Sequence, residues 1–199
     1  MSSAATTLEQ TLPVHGQGQV GTPWWGMLCL IATEGILFVY LIFSYAYLGS
    51  QHGDWPPDGP PSLRLALPAT ILLLGSSFVA EWAKNRARSG RINSGRLGFA
   101  VTIAMGSGFV ILESLEWIGK SFSFSRNSYS SIYFLLTGTH LAHVVLGLMA
   151  LSAVLLWSLL GTLHRGHEQH RALATLYWHF VDAVWLVVFA AVYLSPRLT

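Results

Sequence analysis

Five stretches of the chain stay apolar long enough to cross a bilayer, and short polar segments separate them. A helix needs about 20 residues to span the hydrocarbon. Residues 24–48, 65–83, 97–119, 129–160 and 172–194 meet that requirement. No stretch alternates with the period of two that a membrane strand requires. The expectation is therefore all-α, an integral membrane bundle of five transmembrane helices. The fourth stretch is too long for the slab and should tilt or continue as helix into water. Residues 1–23 carry no lysine or arginine and have no apolar core. They read as a polar amino-terminal tail rather than a secretory signal, leaving 24–199 as the membrane domain.

The connections differ sharply in composition. Residues 51–62 read QHGDWPPDGPPS. Its prolines and glycines forbid helix in the middle, and Trp55 is expected to anchor at the interface. The second connection gathers Lys84, Arg86, Arg88, Arg91 and Arg96, which the positive-inside rule places in the cytoplasm. With Arg165 and Arg171 assigned to the fourth loop, that side holds seven of the eleven basic residues. The amino end is then cytoplasmic and the carboxyl end outside.

Composition strengthens the membrane reading and narrows the chemistry. Hydrophobic residues make up 52% of the chain and charged residues 10%. A soluble globule could not clothe its surface with so few charges. Cys29 is the single cysteine, which excludes an internal disulfide, a cysteine-ligated zinc or iron–sulfur site and a two-thiolate copper centre. A net charge of +2 gives no sign of a nucleic-acid partner.

Polar groups at membrane depth are costly, so they are the first candidates for function. Glu34 lies near the middle of the first span. It is either a neutral, hydrogen-bonded acid that fixes packing, or an acid that exchanges protons or senses lipid headgroups. Glu81, near the end of the second span, can snorkel toward Lys84. Glu113 and Glu116 are three apart on the third span and face one way. They are close enough to share one proton, and histidines of the fourth span are their expected partners. Those are His140 and His143, in TGTHLAHVVLG, where Gly138 and Gly147 permit close helix approach. The fifth span carries YWHFVDAVWLVVF. Trp178, Asp182 and Trp185 form one face, and His179 can meet Asp182. A haem between His140 or His143 and His179 is conceivable on paper, which would make the chain a small bis-histidine membrane cytochrome. Against it, these imidazoles have carboxylate and aromatic neighbours. His15, His52, His164, His167 and His170 fall in the tail or loops and read as solvated.

The strings TE in the first span, LESLEW in the third, TGTHLAHVVLG in the fourth and YWHFVDAVWL in the fifth together resemble subunit III of the haem-copper oxidases, the cytochrome c oxidase family. The resemblance covers nearly everything after residue 24. It implies that Glu34 matches the family's carbodiimide-reactive acid, Glu116 the acid before an aromatic residue, His140, His143 and Gly147 the paired-histidine motif, and Trp178, His179, Asp182 and Trp185 the last-helix motif. It further implies no catalytic residue, haem, copper or other metal in this chain, with haem and copper in partner subunits. Subunit I would be the main contact, with subunit II, other oxidase subunits and membrane lipids as further partners, and structural phospholipid as a bound component. The implied role is support of assembly, of proton uptake into the D pathway and of durability during turnover, in a bacterial plasma membrane. A quinol oxidase or a nitric-oxide-reductase-associated homologue is the alternative within the family. This chain resembles the five-helix form, has Ala69-Thr70 where many relatives have Asn-Thr, and has Glu113 where they often have Gln.

Overall fold

A computed structural model describes residues 21–57, 59–120, 122–161 and 168–197. The readings placed on His15, His164, Arg165 and His167, and on most of the amino-terminal tail, lie outside those residues. The order is α1 (Thr22–Ser50), α2 (Leu63–Arg88), α3 (Ile92–Ile118), α4 (Ser128–Leu159) and α5 (Glu168–Phe189). The last helix runs on through a π turn (Ala190–Leu194) and a 3₁₀ turn (Ser195–Arg197). All five helices are long and apolar enough to cross a membrane, and the described residues contain no strand.

The helix ends follow local chemistry. Pro23 sits in the first turn of α1, where its missing N–H costs nothing. Ser62 caps α2 by accepting from the Arg64 N–H at 3.2 Å. At the start of α4 the Asn127 side chain accepts from the Ser130 N–H at 2.8 Å, while Ser130 Oγ accepts from the Asn127 N–H at 3.0 Å. That reciprocal box satisfies two otherwise orphaned donors. At 32 residues, α4 continues as one helix past the length a bilayer needs.

One expectation about the connections changes. The basic segment after the second span is helical on both sides of a short turn, in which Gly90 adopts φ +82°. Arg86 and Arg88 close α2, favourably placed at the negative end of its dipole. Arg96 lies in α3 and reaches α4, with its guanidinium bonding the Ser158 hydroxyl at 3.1 Å and the Ser158 carbonyl. Arg171 is likewise in α5 rather than in the fourth loop. Trp55 is half-buried against the bundle. It lies over Gly49 and packs edge-on against Tyr45 and Tyr129 at centroid distances of 5.5 and 5.1 Å.

Small residues set the closest approach between helices. On α3, Gly95 and Gly98 face Ala87 and Ala83 of α2; a Cβ on Gly98 would lie only 2.6 Å from the Ala83 Cβ. Bilayer lipid is as apolar as leucine, so this dispersion-rich contact, rather than hydrophobic exclusion, holds α2 to α3. The core between α2, α3, α4 and α5 is filled by Trp178, Trp185, Tyr133, Tyr193 and Phe109. Ile36, Val39 and Phe43 of α1 stay exposed, as lipid-facing side chains do.

Candidate functional site

The polar residues singled out in the sequence form three separate groups, and most have partners other than those expected. The first joins α1 to α4. His143 Nδ1 lies 2.6 Å from the Thr139 carbonyl. A carbonyl oxygen only accepts, so Nδ1 carries a hydrogen and donates it. The other nitrogen, Nε2, lies 2.9 Å from Glu34 Oε2. That contact is a carboxylic acid donating to a neutral imidazole or an imidazolium donating to a carboxylate. Either way one proton sits on the Glu34–His143 bond. Glu34 borders a groove of about 400 Å³ between α1, α4 and α5, whose wall includes Met27, Leu146, Val154, Trp157 and Tyr177.

A second group lies at the far ends of α3, α4 and the carboxyl-terminal turns. Glu116 Oε1 accepts from Lys120 Nζ at 2.9 Å, from the Tyr193 hydroxyl at 2.8 Å and from the Tyr133 hydroxyl at 3.2 Å. Glu113 is 1% exposed, and neither of its oxygens has a hydrogen-bond partner among the described residues. The expected pairing of these acids with His140 and His143 is therefore not what forms. Both imidazoles sit nearer the middle of α4 and turn toward α1 and α5. Tyr133 and Tyr193, which do hold Glu116, drew no notice in the sequence because a tyrosine near a span end ordinarily reads as an interface anchor.

The third group is the inner face of α5. Trp178 Nε1 donates to Ser76 Oγ and Trp185 Nε1 donates to Thr70 Oγ1, each at 2.9 Å. The stripe expected from the sequence thus hangs two tryptophans on two small hydroxyls of α2. The Trp178 ring fits against α4 at Gly147 and against α3 at Gly106, where a Cβ would approach to 2.8 and 2.6 Å. Gly138 has a similar but looser relation to Trp117, at 3.3 Å. His140, fully buried, lies 3.1 Å through Nε2 from the Val181 carbonyl of α5. Its ring packs on Trp185 and edge-on to Phe109, at centroid distances of 4.8 and 5.8 Å. His179 does not bond Asp182. It contacts Glu81 Oε2 at 3.3 Å, the oxygen that also accepts from Lys84 at 2.6 Å. Asp182, 6% exposed, keeps one oxygen unpartnered beside the similarly unpartnered hydroxyl of Ser77. Glu81 therefore joins α2 to α5 as well as pairing with Lys84.

This arrangement is poorly suited to haem ligation by the membrane histidines. His140 has Nε2 on a carbonyl and an unpartnered Nδ1 sealed in the core between aromatic rings with no room for a haem, His143 is held by Glu34 and His179 by Glu81. Among the described residues no group of three or more His, Cys, Asp or Glu could hold a metal ion.

The fold and its polar groups define a multi-pass helical membrane protein whose intramembrane acids and imidazoles are mostly spent joining helices. Comparison with known proteins gives the family. The family model described as Cytochrome c oxidase subunit III matches residues 10–196. The cytochrome c oxidase subunit 3 of a Synechocystis species is 33% identical over 189 residues, covering 92% of this chain and 81% of that protein. The protein of the same name from Thermostichus vulcanus is 28% identical, with 86% and 87% covered, and the mouse protein is 34% identical, with 85% and 68% covered. The chain belongs to the cytochrome c oxidase subunit III family.

Proposed function

We propose that the chain is a non-redox subunit of a proton-pumping haem-copper terminal oxidase, the complex that reduces oxygen to water in aerobic respiration. Its role is to support the catalytic subunit I in assembly, in proton uptake through the D pathway and in survival during turnover. Subunits I and II carry the haem and copper. The chain resides in a bacterial plasma membrane, with the Lys84–Arg96 region in the cytoplasm and the carboxyl end outside. The observation that carries this reading is the use of the membrane-depth polar groups. The motif residues Glu34, His140, His143, Trp178 and Trp185 each bond across to a neighbouring helix, which is the chemistry of a rigid support. The groove beside Glu34 is wide and apolar enough for an acyl chain, in keeping with a lipid held at the subunit's edge.

Copurification tests it. Gentle solubilisation of membranes carrying a tagged chain should recover a haem- and copper-containing complex that oxidises reduced cytochrome c. Recovery of the intact chain without any haem protein, from cells that respire aerobically through such an oxidase, would contradict the proposal.

A further inference from the structure

At the end of α3 away from the Lys84–Arg96 segment, the bundle buries two carboxyl groups and gives donors to only one. Glu116 Oε1 accepts from the Lys120 ammonium and from two tyrosine hydroxyls, while its Oε2 has no partner among the described residues. Glu113, one turn back on the same face, is 1% exposed with both oxygens unpartnered. The Tyr133 and Tyr193 hydroxyls, 3.0 Å apart, are committed to each other and to Glu116. Trp117 Nε1, four residues beyond Glu113, is a further buried donor without a partner. A single indole N–H suits the carbonyl oxygen of a neutral acid, and falls short of what a carboxylate, accepting at both oxygens, requires.

Charge points the same way. Lys120 lies 2.9 Å from Glu116, and among the described residues no cation bonds Glu113. A second carboxylate beside Glu116, desolvated and without a donor, would be an uncompensated buried charge, which a protein avoids by keeping the group neutral. A path for the proton is also present. Glu116 lines a pocket of about 320 Å³, together with Lys120, Gly119, Leu115, Ser62 and the exposed Arg64. Glu113 is not part of that wall, so its nearest way to water runs through Glu116, whose free Oε2 is an acceptor on the same helix face.

We propose that Glu113 is a buried proton-binding site, a neutral carboxylic acid that exchanges its proton with pocket water through the Glu116 carboxylate. In the transfer the Glu113 O–H bond breaks and an O–H bond forms at Glu116 Oε2. Glu116, now the acid, exchanges that proton for one of water's, and the replacement returns to Glu113. The pair keeps one negative charge beside Lys120 at each stage. The site needs no oxidase partner, so it can fail while the functional proposal stands. The test is infrared difference spectroscopy of the purified full chain in lipid nanodiscs, native minus variant, where the C=O stretch of a protonated carboxyl group stands apart from carboxylate bands. Glu113→Gln should remove the band of one carboxylic acid; the amide still offers a donor and an acceptor, and helix circular dichroism checks that the fold survives. Glu113→Asp, which keeps an acid at the position, should shift the band rather than remove it, and carries the test if the amide unfolds the chain. Glu116→Gln should retain the Glu113 band but slow its shift on transfer to D2O. Difference spectra of both position-113 variants without a carboxylic acid feature would overturn the proposal. So would a native band that never shifts in D2O, or one that shifts as fast in Glu116→Gln as in the native chain.

Discussion

Gly147 offers a sharp test of how the bundle is held together, because its replacement should change sign with the residue opposite. A Cβ at position 147 would lie 2.8 Å from Trp178 Cε3 and 3.1 Å from Cζ3, against about 3.5–4.0 Å for a comfortable carbon contact. The ring cannot back away. Its far edge rests on the α3 backbone at Gly106, and its Nε1 is tied to Ser76 at 2.9 Å. Gly147→Ala should therefore incur an overpacking cost of about 1–3 kcal/mol, offset by up to about 1 kcal/mol from the better helix propensity of alanine. A net loss of about 1–2 kcal/mol is the expected outcome. Phenylalanine at 178 has no atoms at Cε3 or Cζ3. In a Trp178→Phe background the clash disappears, and Gly147→Ala should be neutral or stabilising by up to about 1 kcal/mol. The double-mutant cycle is measured by unfolding in mixed micelles of increasing SDS fraction, followed by helix circular dichroism. An equal loss in both backgrounds would refute the account, because it would mean that Trp178 is not what excludes a side chain from position 147.

Three further outcomes are expected. Asp182→Leu should alter the stability of the isolated chain by less than about 1 kcal/mol, because a buried acid with one oxygen unpartnered is replaced by an apolar side chain and His179 keeps Glu81; a larger loss in the same unfolding assay would show that the other carboxylate oxygen is held by a partner that matters to the fold. In a Cys29→Ala background, Ser89→Cys should react with a membrane-impermeant maleimide only from the cytoplasmic side of sealed vesicles, and labelling only from outside would invert the topology. Glu34→Gln should abolish carbodiimide incorporation at that position but preserve the contact with His143, since an amide N–H can donate to Nε2 as a carboxylic acid does; loss of α1 docking in this variant, seen as protease sensitivity, would show that the pair is held by charge instead.

The helices were legible because bilayer thickness acts on composition directly: a segment must supply about 20 apolar residues or fail to span. The expected spans all fall on observed helices. The charged ends of α2 and α3 were not read as helical, since arginines beyond the hydrocarbon look the same in sequence whether they belong to a loop or to the last turn. Intramembrane pairing was less legible still. Spacings such as Glu113–Glu116 and His140–His143 say which residues share a face of their own helix. Which neighbour that face meets depends on the rotation and vertical offset of another helix, neither of which is local. His143 consequently pairs with Glu34, 109 positions away, and Glu116 with Tyr193, 77 away. Gly95 and Gly98 facing Ala83 and Ala87 were recoverable in principle, because small residues gathered on each of two consecutive spans signal close packing. The hydroxyls of Ser76 and Thr70 gave less warning, because each donates to its own helix backbone, at the Leu73 and Ala66 carbonyls, while its oxygen accepts from a tryptophan.

The proposal that this chain supports an oxidase without taking part in its redox chemistry is tested most directly by the time course of oxygen consumption in the complex with and without it. Haem content is measured in both preparations, and catalysis is followed through many turnovers from the first addition of reductant. The account predicts an initial rate in the depleted complex close to that of the intact one, followed by faster irreversible decay that re-addition of the chain before turnover prevents. An immediate loss of nearly all activity on removal, with haem content and the remaining subunits intact, would place this chain on the obligatory catalytic path and contradict the account.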